Sequence, residues 1–180
     1  PADCSYFGLY GMNGNNIEQV ISGINLGANL GTDVFYSGTV GAAIAGINLK
    51  YPPVAISVCS FSPKDISFIA DKAFELIQKF RSISLKQNSL ININFPDILK
   101  EDYKGELYTK LAKRGAPEAP NIISKKDQLS FTFSASGEFI DGQTDTDMQA
   151  IENGFISVSI LNYDISNAND LLGREISHGS

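Results

Sequence analysis

Chemistry concentrates in one stretch, Ser22-Gly23-Ile24-Asn25-Leu26-Gly27-Ala28-Asn29-Leu30-Gly31-Thr32-Asp33-Val34-Phe35-Tyr36-Ser37-Gly38-Thr39-Val40-Gly41. Asn25 and Asn29 offer neutral oxygens to a hard divalent cation, or amide hydrogens to a phosphate. Ser37, Gly38 and Thr39 stand at the expected start of a helix. There, unpaired backbone N–H groups, the positive end of the helix dipole and two hydroxyls converge on an anion. On spacing alone the same pattern also fits a glycine-rich loop whose Ser or Thr caps the helix. No Lys follows a glycine at P-loop spacing, and no G-x-G-x-x-G is present. Phe35 stands where a nucleophile elbow around Ser37 needs glycine.

Elsewhere the chemistry thins out. The single histidine, His178, is three residues from the end, which disfavours a Ser-His-Asp triad or a multi-histidine metal site. Cys4 and Cys59 form no C-x-x-C; one disulfide between them stays open, and two small buried thiols are the favoured reading. Asp141, Asp145 and Asp147 cluster without the spacing of an EF-hand, so capping of a helix from Thr146 is expected. Asp33 could orient a metal-bound water or make an Asx turn. Asp3 is expected to cap a short helix containing Cys4, Tyr6, Phe7 and Leu9. Lys113-Arg114 and Lys125-Lys126 could meet an anionic substrate, but short charge pairs of this kind read first as solvated. Asn92 and Asn94 share one strand face and read as hydrogen-bonding groups at a sheet end.

The elements that must position these residues follow from periodicity. Residues 19–24 and 53–58 are short β-branched runs, and residues 90–96 alternate apolar residues with Asn. Small and apolar residues predict a tight helix over 39–49. Ile66, Ile69, Ala70, Ala73, Phe74, Leu76, Ile77 and Phe80 make the stripe of an amphipathic helix over 63–80, with Ser62 as N-cap and Pro63 at its first position. Strand alternating with helix at this spacing predicts an α/β fold with a mostly parallel, Rossmann-like sheet and helices on both faces. Residues 105–113 and 128–134 read as an antiparallel pair joined by the loop 114–120. A helix over 146–153 ends at Gly154, and 155–161 is a last strand. The expected units are a core over 1–104, a β-hairpin extension over 105–136, a helix and strand returning to the core over 137–163, and a polar tail over 164–180.

Composition sets outer bounds. The chain has 180 residues, 43% hydrophobic and 19% charged, which is globular. Fourteen basic against 20 acidic residues give a net charge of −6, so neither a nucleic-acid polymer nor an anionic membrane surface is an expected partner. No apolar run approaches a membrane span, and Pro1-Ala2-Asp3-Cys4 is no signal peptide, so a cytoplasmic place is expected. An opening on Pro1, without Met, reads as a chain cut from something longer.

Several ordered segments carry a resemblance. Ser22-Gly23-Ile24-Asn25, Gly27, Asn29, Gly31, Asp33 and Tyr36-Ser37-Gly38-Thr39-Val40 closely resemble the signature of the SurE family of metal-dependent phosphatases. Pro1-Ala2-Asp3-Cys4 resembles that family's T-P-A-D-C-V, Pro53-Val54-Ala55-Ile56-Ser57 its P-A-I-A-(V/I)-S, and Leu90-Ile91-Asn92-Ile93-Asn94-Phe95-Pro96 its asparagine-bearing strand. Asp145-Thr146-Asp147 with Gly154-Phe155-Ile156-Ser157-Val158-Ser159 resembles its D-T-D…G-Y-(V/I)-S-(V/I)-T element. The resemblance implies a Rossmann-like core and a β-rich carboxy-terminal extension used in oligomerisation, as homodimer or homotetramer. It implies 5′-nucleotidase activity, the hydrolysis of a nucleoside monophosphate to nucleoside and phosphate. Asn25 would be a ligand of Mg²⁺ or Mn²⁺, Asn25 and Ser37 would serve catalysis, and Asn29, Ser37, Gly38 and Thr39 would line the phosphate pocket. The family's Asn-Asp-Asp-Gly, whose aspartates are its main metal ligands, has no counterpart, since no two aspartates are adjacent in the 180 residues. The chain alone is therefore expected to be inactive. The alternative is a non-catalytic derivative that oligomerises or binds anions.

Overall fold

The β-branched runs form strands because branched side chains pack well on a pleated, buried surface. A computed structural model describes residues 1–12, 16–83, 85, 88–125, 128–132, 137–140 and 142–163. Lys126, Asp141, the end of the run at 134 and the tail 164–180 with His178 lie outside the described residues. The elements are α1 (Ala2–Tyr10), β1 (Ile21–Leu26), α2 (Gly38–Ile44), β2 (Val54–Val58), α3 (Ile66–Arg81) and β3 (Ser89–Phe95). They continue with β4 (Glu106–Thr109), β5 (Asn121–Lys125), β6 (Gln128–Thr132), α4 (Asp147–Glu152) and β7 (Ile156–Asn162).

Five strands make the main sheet in the order β1-β2-β3-β7-β4. Neighbours β1–β2, β2–β3 and β4–β7 run parallel, and β3–β7 runs antiparallel. Val54, Ile56 and Val58 of β2, Ile91, Ile93 and Phe95 of β3, and Ile156 and Val158 of β7 face α3. That helix answers with Ile69, Ala73, Leu76, Ile77 and Phe80. On the opposite face Ala55 and Leu90 meet Val34 and the α2 residues Val40 and Ala43. The architecture is thus the expected Rossmann-like α/β sheet with helices on both faces.

Details differ from the sequence reading for local reasons. Asp65, not Ser62, caps α3, its Oδ1 accepting from the Phe68 amide at 2.9 Å. Pro63 therefore lies before the helix. Helix α2 ends at Ile44, five residues before the expected end, and Gly46 just beyond it packs so close to Val20 that a side chain there would collide with it. Asp3 lies in the first turn of α1 and makes no capping bond. Cys4 is exposed and Cys59 half-buried, both as free thiols.

The largest difference concerns β4. It does not pair with 128–134 but joins the main sheet beside β7, with Thr109 opposite Ser159. The antiparallel partner of β6 is β5, with Ile122 opposite Phe131. That small ribbon stands on a neck where Gly115 donates to the Glu138 carbonyl at 2.9 Å and Ile140 to the Lys113 carbonyl at 3.0 Å.

Candidate functional site

Open parallel sheets leave a crevice outside the carboxyl ends of their strands, and the stretch from Asn25 to Thr39 runs there. Asn25 sits in β1 opposite Ser57, and its Nδ2 donates to the Gly27 carbonyl at 2.8 Å. The Gly27 amide in turn bonds the last carbonyl of β2, that of Val58, at 2.9 Å. The chain then dives inward, so that Asn29 and Leu30 are buried.

Asn29 is held from β2 and β3. Its Nδ2 donates to Ser57 Oγ at 2.6 Å, and its backbone amide donates to Asn94 Oδ1 at 2.9 Å. Its carbonyl accepts from Nδ2 of both Asn92 and Asn94, each at 2.9 Å. Strand β3 is buried on both faces, so these asparagines make their hydrogen bonds inside the molecule. Their polar face is a buried layer, continued by Ser157 and Ser159 of β7, which share the Thr109 hydroxyl at 2.8 Å each.

Two carboxylates fasten the rest of the loop. Asp147, fully buried at the start of α4, accepts from the amides of Gly31 at 2.6 Å, Ala112 at 2.8 Å and Met148 at 2.8 Å. Burial pushes its carboxyl above the usual aspartate range, against the pull of those three N–H groups. Helix capping is left to Thr146, which accepts from the Gln149 amide. Gly31 needs its missing side chain, because it has φ +55° and a Cβ there would lie 2.6 Å from the Ala112 carbonyl oxygen. Asp33 receives Arg114 in a fork, with Nε at 3.0 Å from both oxygens and Nη2 at 2.8 Å from Oδ2. The guanidinium also lies 3.9 Å from the Phe139 ring centroid and bonds the Gly137 carbonyl. Arg114 is thus a structural cation rather than a solvated charge.

After a 3-10 turn over Gly31–Tyr36, Ser37 caps α2, its Oγ accepting from the Val40 amide at 3.1 Å. Among the described residues that hydroxyl makes no hydrogen bond as a donor. Helix geometry leaves the amides of Gly38 and Thr39 without intrahelical partners. A cavity of about 500 Å³ runs beside α2 from Ser37 and Val40 to Leu161 and Tyr163.

The donor set does not make a complete divalent-cation site. Asn25 supplies one neutral amide oxygen, and hard cations are held mainly by several carboxylate oxygens. Among the described residues no group of three or more His, Cys, Asp or Glu is placed to hold a metal ion.

A family model for "Survival protein SurE" matches residues 1–118. The chain belongs to the SurE family. It is 35% identical over 165 residues to a 5′-nucleotidase SurE of Pseudomonas savastanoi, a match covering 91% of this chain and 66% of that protein. A 5′-nucleotidase SurE of Ruthia magnifica is 36% identical over 171 residues, covering 95% of this chain and 69% of its own. The chain therefore spans about two thirds of the length of these SurE relatives. The crystal structure of a SurE protein from Aquifex aeolicus superposes with a TM-score of 0.76 at 30% identity, covering 96% of this chain and 70% of that one. Among the described residues, no helix of this SurE chain is long and apolar enough to cross a membrane.

Asp147 and Asn94 are the residues that spacing undervalued. Spacing points to helix capping around Asp147 and to sheet-end bonding for Asn94, whereas each reaches far along the chain, to Gly31 and to Asn29. The readable signal was an aspartate and two asparagines in segments otherwise fit for burial.

Proposed function

We propose that the protein is a phosphomonoester hydrolase of the 5′-nucleotidase type, converting a nucleoside 5′-phosphate to nucleoside and phosphate. The reading is carried by the loop that bears Asn25 and Asn29 at the carboxyl ends of β1 to β3, in a chain whose SurE relatives are named 5′-nucleotidases. The amides of Gly38 and Thr39, the Thr39 hydroxyl and the Ser37 hydroxyl hydrogen would hold the charge that spreads over the phosphoryl oxygens. Asn29 would place its remaining amide hydrogen on the same group. The cavity beside Ser37 has the size of a nucleoside site. Asn25 would contribute one neutral oxygen to Mg²⁺ or Mn²⁺, with the carboxylate ligands supplied from outside these 180 residues. The work would be done in the cytoplasm by a homo-oligomer.

The test is phosphate release from adenosine 5′-phosphate with Mn²⁺, by the full-length protein and by residues 1–180 alone. The full-length protein is expected to turn over, and Asn25→Ala to lower kcat/KM at least about a hundredfold, the scale of losing a group that acts at the reacting phosphate. The 180-residue chain is expected to be inactive. A full-length protein that releases no phosphate from any nucleoside monophosphate would leave the non-catalytic, anion-binding reading. The incomplete donor set is the observation that favours that second reading.

A further inference from the structure

Asn94 holds Asn29 in an unusual way. One side-chain amide of β3 serves both backbone groups of one loop residue, Oδ1 taking the N–H and Nδ2 giving to the C=O, at 2.9 Å each. It does for Asn29 what a neighbouring strand would do. Asn92 adds a second donor to the same carbonyl, while its own Oδ1 is buried without a hydrogen-bond partner among the described residues. Both asparagines are fully buried in a strand whose other face is Ile91, Ile93 and Phe95. Buried amides stabilise a fold little beyond apolar residues of the same shape, and an unpartnered oxygen costs stability outright. Holding this one backbone position is what the pair achieves at that cost. The backbone grip is also independent of the Asn29 side chain, which is fixed separately on Ser57.

We propose that Asn94, assisted by Asn92, is a positioning residue that fixes the peptide of Asn29, so that the loop presents its donors to the phosphate. This rests on the phosphatase reading for its ligand, though not for its geometry. The grip is made before any ligand arrives, so its loss weakens ground-state and transition-state binding alike. That pattern raises KM and spares kcat.

The experiment uses the full-length protein with Asn94→Leu and Asn92→Leu, read in two ways. Hydrogen exchange by mass spectrometry reports the amides of residues 28–31, with β2 and β3 as internal controls. Steady-state kinetics with adenosine 5′-phosphate reports KM and kcat. Asn94→Leu is expected to speed loop exchange and raise KM by about tenfold, the factor that one lost hydrogen bond is worth, with kcat nearly unchanged. Asn92→Leu removes one of two donors and is expected to do the same to a smaller degree at an unchanged or higher Tm, which decides the matter if Asn94→Leu does not fold. Unchanged exchange at 28–31 overturns the proposal. Faster exchange with an unchanged KM overturns it too, since the loop would then not serve the phosphate. If the parent protein hydrolyses no nucleotide, the phosphatase reading falls, and the exchange arm alone still decides whether Asn94 holds the loop.

Discussion

At the scale of single residues, the carboxylate of Asp147 joins three stretches of chain. Gly31 of the loop, Ala112 beyond β4 and Met148 of α4 all donate to it. An amide in its place has only one acceptor oxygen, so Asp147→Asn leaves at least one of these N–H groups facing a donor. The expected loss is about 1–3 kcal/mol at neutral pH, the cost of an unsatisfied buried group. The pH dependence has a definite sign. Burial raises the native pKa above the ordinary aspartate value, so between the two the folded state binds more protons than the unfolded one. Stability from this group is greatest on the acid side and falls as pH rises through the window. The deficit of Asp147→Asn relative to the parent should therefore be largest near the acid limit and shrink toward neutrality, as read by Tm at a series of pH values. A deficit that grew with pH would mean that the three N–H bonds outweigh burial. The same buried neighbourhood pushes the Cys59 thiol up to about 12, chiefly by desolvation and then by Asp147 and Asp97, so it stays protonated at neutral pH.

At the scale of elements, α3 shows what local patterning can do. Its apolar stripe was legible because a 3.6-residue period repeats over sixteen residues: Ile69, Ala73, Leu76, Ile77 and Phe80 are buried on the sheet, while Ile66, Ala70 and Phe74, at the edge of the same stripe, are exposed. Its start was misplaced because Ser62 and Asp65 are both good caps, and only the chain path chooses between them. Asp65→Ala should cost about 1 kcal/mol, a usual value for a lost cap, and lower Tm by a few degrees in thermal unfolding. Ser62→Ala should do neither. Strand β4 was legible as a strand but not in its partnership, because Glu106–Thr109 is too short to carry a register and its neighbour β7 is about fifty residues on. The site divides in the same way. The glycines, Asn25, Asn29 and Ser37 were visible as one run. The grip of Asn94 and the reach of Asp147 to Gly31, across 65 and 116 residues, were not, since spacing reports only near neighbours.

At the scale of the whole molecule, the β5–β6 ribbon is conspicuous for what it leaves uncovered. Ile122, Ile123, Leu129 and Phe131 are all 45% exposed or more. A two-stranded ribbon is marginal by itself, and apolar side chains of this size are usually covered by another surface. We expect that surface to be a second copy of the chain. Phe131→Glu should shift the full-length protein toward smaller species in light scattering after size exclusion, while Tyr6→Glu, exposed on α1 away from the ribbon, should not. A parent protein that is already monomeric at micromolar concentration would refute the expectation.

The position of β7 in the sheet has a consequence for synthesis. Strand β3 lies between β2 and β7, so one of its edges closes only when residues 156–162 arrive, more than sixty residues after its own. While the ribosome makes the intervening chain, Asn92 and Asn94 have no strand on that side, and β4 has no sheet to join. The nascent protein carries an open, apolar edge for several seconds at ordinary elongation rates, the kind of surface that chaperones shield. Translation pauses between residues 95 and 156 should therefore lower the yield of soluble protein more than pauses placed before β3.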